Sequence, residues 1–174
     1  LIIIFIWLLI PRFTYIFFNS ITTADSLFYL EVAENINRGC GFAFTNTLGE
    51  CQVLTGGYFP SYPYLIWFLK SLGLHDKFIP IFIAILSVSS IIYLLISLYR
   101  IRLGEDKIYL LALFLGFSPV GFGYTRYILI EPVLYFLSII LLAEFINLKI
   151  NPKCHKYIFF RVILFALISV FFKP

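Results

Sequence analysis

With 174 residues, 61% of them hydrophobic and only 13% charged, the chain departs from the roughly half apolar, quarter charged composition of an average soluble domain. A mean hydropathy of +0.99 and 20% aromatic residues, among them 21 Phe and 12 Tyr, point to lipid rather than water as the main solvent. The net charge of +4 lacks the Lys/Arg clustering of a nucleic-acid groove, which excludes nucleic acid as the expected partner and leaves membrane lipid.

A hydrocarbon core about 30 Å thick takes about 20 helical residues. Polar breaks divide the apolar runs into five expected spans: Leu1 to about Phe18, Phe78 to Tyr99, Ile108 to about Tyr124, Pro132 to Leu148 and Tyr157 to Phe172. The expected fold class is all-α, a polytopic transmembrane helical bundle forming a single membrane domain over residues 1–174. Leu1 and Pro174 both lie in apolar runs and the chain has no Met, so it reads as the N-terminal part of a longer protein. No small-residue cleavage site follows Ile10, which separates the first run from a signal-peptide core.

Arg100, Arg102 and Lys107 lie between the second and third spans, and Lys149, Lys153, His155 and Lys156 between the fourth and fifth. The positive-inside rule puts both connections in the cytoplasm, and with them the N-terminus. Residues 19–77 and the connection before Glu131 then face outward from the plasma (inner) membrane.

The long outer loop, residues 19–77, carries its own elements. Phe28, Tyr29, Val32, Ala33 and Ile36 make an apolar stripe that predicts a surface helix over residues 26–38, stopped by Arg38-Gly39. A Gly-rich connection leads to a second, aromatic-rich amphipathic segment over residues 62–72, ending at Gly73.

Chemistry-bearing residues follow the same order. Asp25 stands at the N-terminus of the first surface helix, where the macrodipole holds a carboxylate ionised. It reads either as a capping or first-turn acid or as a base for a hydroxyl proton. Glu31 and Glu34, three apart on one helix, leave a divalent cation open, although Glu34 and Arg38 also form an i,i+4 pair. Cys40 and Cys51 share the outer loop, where an oxidising compartment lets them close a disulfide over residues 41–50. Arg126 offers a planar fork of donors suited to phosphate, or else snorkels at the interface. Glu131 precedes Pro132 at the outer start of the fourth span, a second acid at a helix N-terminus. Phosphate-cradling Gly loops, Cys-x-x-Cys pairs and His-Glu-x-x-His sequences are missing from the chain.

In this order the features resemble the GT-C superfamily of membrane glycosyltransferases, in the branch of protein O-mannosyltransferases and the lipid A aminoarabinose transferase. The first span is followed by the outer acid and Tyr-rich helix Ala24-Asp25-Ser26-Leu27-Phe28-Tyr29-Leu30-Glu31-Val32-Ala33-Glu34-Asn35-Ile36, then Arg38-Gly39-Cys40-Gly41-Phe42. Gly57-Tyr58-Phe59-Pro60 precedes the aromatic segment containing Tyr62, and Ser118-Pro119, Arg126 and Glu131-Pro132 complete the third-to-fourth connection. Lys173-Pro174 resembles a basic-Pro pair at the outer end of the fifth span. The family's acid pair is Asp25-Ser26 here, and the basic residue that some members carry before the aromatic segment is replaced by Ser61-Tyr62.

The resemblance implies inverting transfer of a sugar from a polyprenyl-phosphate donor to a glycan, lipid or protein acceptor at the outer membrane face. Asp25 would deprotonate the acceptor hydroxyl, with Glu131 orienting the acceptor or Arg126. Arg126 and Lys173 would neutralise the departing lipid phosphate, and Tyr29 and Tyr62 would contact substrate. The lipid-linked sugar is a substrate, not a cofactor. The competing expectations are a transporter or flippase segment, with charges lining a pathway, and a non-catalytic subunit of the same fold.

Overall fold

The computed structural model describes residues 2–18, 23–54, 60–118, 122, 124, 130–150 and 155–172. The expected sites Arg126 and Lys173 lie outside these residues, as do Gly57 and Pro119.

Among the described residues the fold is all-α apart from a small hairpin. The helices are α1 (Ile2–Phe18), α2 (Ala24–Asn37), α3 (Ser61–Ser71), α4 (Ile79–Arg100), α5 (Glu105–Gly116), α6 (Glu131–Ile150) and α7 (His155–Phe172), with a 3-10 turn at Asp76–Phe78. The helix α4, extended by the 3-10 turn, and α6 are each long and apolar enough to cross a membrane.

The helix α4 is the axis of the packing: α1, α5 and α6 lie against it, and α7 packs on α6. Serines line its buried face, and Ser90 and Ser97 return their hydroxyls to the carbonyls of Ser87 and Tyr93. Two apolar cores result. One joins Leu8, Val88, Ile91, Leu95, Ala112 and Ile139; the other joins Ala33, Tyr62, Ile66, Ile83, Ile130 and Val133, and so seats α2 and α3 on the ends of α4 and α6.

Between α1 and α4 the chain builds a compact insertion. Helix α2 starts at Thr23, whose Oγ1 accepts the Ser26 N–H at 3.1 Å, and stops where Gly39, at φ +84°, lets the chain turn left-handed. A hairpin not foreseen in the Gly-rich connection follows, β1 (Ala43–Thr45) with β2 (Cys51–Val53), antiparallel in the register Ala43 to Val53 and Thr45 to Cys51. The buried Asn35 amide donates to the Ala43 carbonyl at 3.0 Å, and Glu31 Oε1 accepts the Thr45 N–H at 2.7 Å. The hairpin is thereby fixed to one side of α2. Cys40 and Cys51 are joined in a disulfide, Cα atoms 5.9 Å apart, which closes the loop from the other end.

The third apolar run differs from its expected extent, 108 to about 124. Helix α5 begins earlier, after Gly104, because Glu105 and Asp106 in its first turn complement the dipole. It ends at Gly116, giving 12 residues and a length of about 18 Å, well short of a bilayer core of about 30 Å. Gly116 lies so tightly on Leu8 that a Cβ there has no room, and Arg12 of α1 donates to its carbonyl. The remaining helices lie within about two residues of the expected limits, the scatter usual for helix ends.

Candidate functional site

Asp25 is the second residue of α2 and is exposed; Thr23, not Asp25, supplies the cap. The carboxylate is therefore not consumed in satisfying the helix end, although it stands in the first turn of α2. Glu131 is the first residue of α6, also exposed, with Pro132 behind it and the Ile130 carbonyl receiving the Val133 and Leu134 N–H groups at 3.0 Å. Both acids are thus projected from helix starts, more than a hundred residues apart in sequence.

Tyr29 and Tyr62 connect them. The two rings meet edge to face, centroids 4.9 Å apart at 90°. Tyr62 is fully buried among Ile66, Ile130 and Val133, the last two flanking Glu131. Burial pushes the half-buried Tyr29 phenol up from its usual value, and Glu131 and Asp25 both add to the rise. The Tyr62 phenol is pushed well above its usual value by burial, with Tyr29 and Glu131 contributing. The two carboxylates therefore act on one phenol pair. Among the described residues, the buried Tyr62 hydroxyl has no hydrogen-bond partner. A buried hydroxyl normally finds one, which sets Tyr62, with Glu131 near enough to act on it, apart from the rest of this core.

On another side of α2 lies a polar cleft of about 370 Å³, between α2, the hairpin and α3, lined in part by Glu31, Glu34, Arg38, Lys70 and Asp76. A chain of ion pairs crosses it: Arg38 to Glu34 at 3.7 Å, Glu34 to Lys70 at 3.4 Å and Lys70 to Asp76 at 3.0 Å. Burial lowers the Lys70 ammonium, but Asp76 and Glu34 outweigh it and the net shift is upward. Glu31 and Glu34 both line the cleft and both are engaged there. The former holds the hairpin and the latter is shared by two bases, and no group of three His, Cys, Asp or Glu side chains at metal-binding distance occurs among the described residues. His75 caps the 3-10 turn, its Nδ1 accepting the Lys77 N–H.

Sequence reasoning passed over two polar groups inside the apolar helices. Arg12 is fully buried in α1; Glu144 is buried in α6 with Tyr93 of α4, Asn147 of α6 and Arg161 of α7 around it. Both charges lie well inside apolar helices. The signal was present, since an ionisable residue amid an apolar helix has to be paired.

Comparison with known proteins gives no match: no family model, no curated protein and no solved structure matches the chain.

Proposed function

We propose that the chain is the sugar-transferring part of a multi-pass membrane glycosyltransferase of GT-C-like architecture, with the N-terminus cytoplasmic and the α2–α3 insertion on the outer face. The observation that carries the reading is the joint action of Asp25 and Glu131 on Tyr29, two acids from distant helix starts at one aromatic surface. The unpartnered Tyr62 hydroxyl in the same place adds to it.

In this reading Asp25 accepts the proton of the acceptor hydroxyl as its oxygen bonds to the anomeric carbon of the donor. The bond from that carbon to the phosphate oxygen breaks, and the electron pair leaves with the polyprenyl phosphate. Arg126 and Lys173 neutralise that leaving group, Glu131 orients the acceptor, and Tyr62 donates to a ligand oxygen.

The test is release of polyprenyl phosphate from labelled donors by the full-length protein in membranes. Asp25→Asn should cost on the order of 10²–10⁴ in turnover while donor binding persists. Turnover equal to wild type removes Asp25 from the mechanism. A second reading, a transporter segment, draws on the pairing of buried Glu144 with half-exposed Arg161, since charges inside apolar helices commonly mark transport paths. Solute flux without polyprenyl phosphate release would favour it.

A further inference from the structure

Arg12 is a cation with no exposed surface in an otherwise apolar helix, one residue after Pro11. Leaving water costs such an ion several kcal/mol, so its contacts have to compensate. Those to described residues of other helices converge on the end of α5. One guanidinium nitrogen donates to the Leu8 carbonyl at 2.7 Å, within α1 itself, and another to the Gly116 carbonyl. The guanidinium also lies over the Phe122 ring, 5.5 Å from its centroid. The neighbouring carbonyl, Leu115, accepts from the Tyr135 hydroxyl of α6 at 2.6 Å and from Ser118 Oγ at 3.2 Å. Carbonyls left over where α5 stops short are thus taken up by side chains from two other helices.

The heights of these contacts matter. Arg12 lies six residues before the end of α1, about 9 Å along the axis, and α1 leads on to Asp25. Tyr135 lies four residues after Glu131, about 6 Å below the start of α6. The end of α5 is therefore a peg gripped from one side by the helix leading to the first acid and from the other by the helix starting with the second.

We propose that Arg12 is a positioning residue: with Tyr135 it ties α1 and α6 to the end of α5 and so sets Asp25 and Glu131 in register across the site. The role rests on the glycosyltransferase reading of that site. Arginine suits it because one planar fork reaches carbonyls of two helices at once, which a lysine ammonium on a single stem does not reproduce.

The experiment uses the full-length protein in membranes, with Cys154 and every other cysteine except Cys40 and Cys51 replaced by Ser, and two readouts. The first is cross-linking of Asp25→Cys to Glu131→Cys by a short bis-maleimide, which needs no activity. The second, with both acids intact, is kcat against donor KM. Arg12→Gln should slow cross-linking severalfold and lower kcat on the order of 10²-fold with donor KM unchanged, as a misplacement of about 1 Å does. Arg12→Lys should recover part of both. Tyr135→Phe loosens the same tie while leaving the buried Arg in place, so it reports even where Arg12→Gln fails to fold. Wild-type cross-linking and kcat in both Arg12→Gln and Tyr135→Phe overturn the proposal. Failure of the two cysteines to cross-link with Arg12 and Tyr135 intact overturns the two-acid site, and with it any register for Arg12 to set.

Discussion

Tyr29 meets Tyr62 edge to face at 4.9 Å, and the buried hydroxyl of Tyr62 has no hydrogen-bond partner among the described residues. Such a hydroxyl lowers the stability of the empty protein and becomes useful only when a ligand atom reaches it. Tyr62→Phe should therefore leave thermal stability unchanged or raise it by about 1 kcal/mol, while turnover or substrate affinity falls. Thermal unfolding and donor titration on the same preparation check both halves. A loss of stability with activity intact would make the hydroxyl a structural group.

Thr23 and Asp25 separate two roles that the sequence alone superimposes on the start of α2. Thr23 Oγ1 holds the Ser26 N–H, so Thr23→Ala should cost about 1 kcal/mol of helix stability. Asp25→Asn removes only a charge near the helix start, a loss of about 0.3–1 kcal/mol, yet is expected to lower turnover on the order of 10²–10⁴-fold. Hydrogen exchange over residues 24–37 distinguishes the two. Strong deprotection in Asp25→Asn would return that residue to a purely structural role.

What the sequence reveals follows what hydropathy and spacing can encode. The helix lengths, the two acids at helix starts and the two cysteines facing one loop were legible because each is a local pattern. The Thr23 cap was written in Thr23-Ala24-Asp25-Ser26 too, but three residues of that stretch can cap and only geometry selects one. The early end of α5 was hidden because residues 117–124 continue the apolar run. Gly116 and Ser118-Pro119 are stop signals that hydropathy does not count, and the packing of Leu8 on Gly116 with Arg12 on its carbonyl adds a tertiary contact that leaves no mark on hydropathy either. Arg12 and Glu144 were overlooked for the complementary reason, a single charge being averaged away in a window of some 20 apolar residues.

Alkaline pH should loosen the α2–α3 insertion first. The Tyr29 and Tyr62 phenols and the Lys70 ammonium all have folded-state pKa values above their ordinary ones. A raised value means that the folded state holds its proton longer than the unfolded state. The associated stability is therefore complete below the unfolded values, about 10 to 10.4, and is lost as pH rises through the folded ones. Unfolding of this segment, followed by tyrosinate absorbance between about pH 9 and 12, should steepen above about pH 10. Tyr62→Phe should flatten the slope; an unchanged slope would locate the sensitivity elsewhere.

Reduction of Cys40–Cys51 should act locally. The bond closes a loop across a sequence separation of 11, which in the chain-entropy account corresponds to roughly 3 kcal/mol. The loop contains only the hairpin, which also keeps its Asn35 and Glu31 bonds to α2. Dithiothreitol, or Cys40→Ser with Cys51→Ser, should raise hydrogen exchange over residues 43–53 and leave α4 and α6 protected. Deprotection of the long helices would mean that the hairpin supports the whole fold.

The Glu144–Arg161 pair should respond asymmetrically to losing either member. The Glu144 side chain is 2% exposed and Arg161 48%, their charged atoms 3.3 Å apart. Arg161→Leu leaves a buried carboxylate whose Oε1 still accepts from Tyr93 at 2.7 Å but which has lost its ion-pair partner, a change costing less than the roughly 3–5 kcal/mol of a fully buried pair because solvent screens the half-exposed Arg161. Glu144→Gln removes the buried charge, keeps an acceptor for Tyr93 and leaves a half-exposed Arg that can turn to solvent or headgroups, so it should cost far less. The double variant Arg161→Leu with Glu144→Gln should recover most of the loss from Arg161→Leu, as a double-mutant cycle on unfolding would show. Equal losses from the two single variants would mean that the ion pair itself holds α7 against α6, and that burial of the carboxylate is incidental.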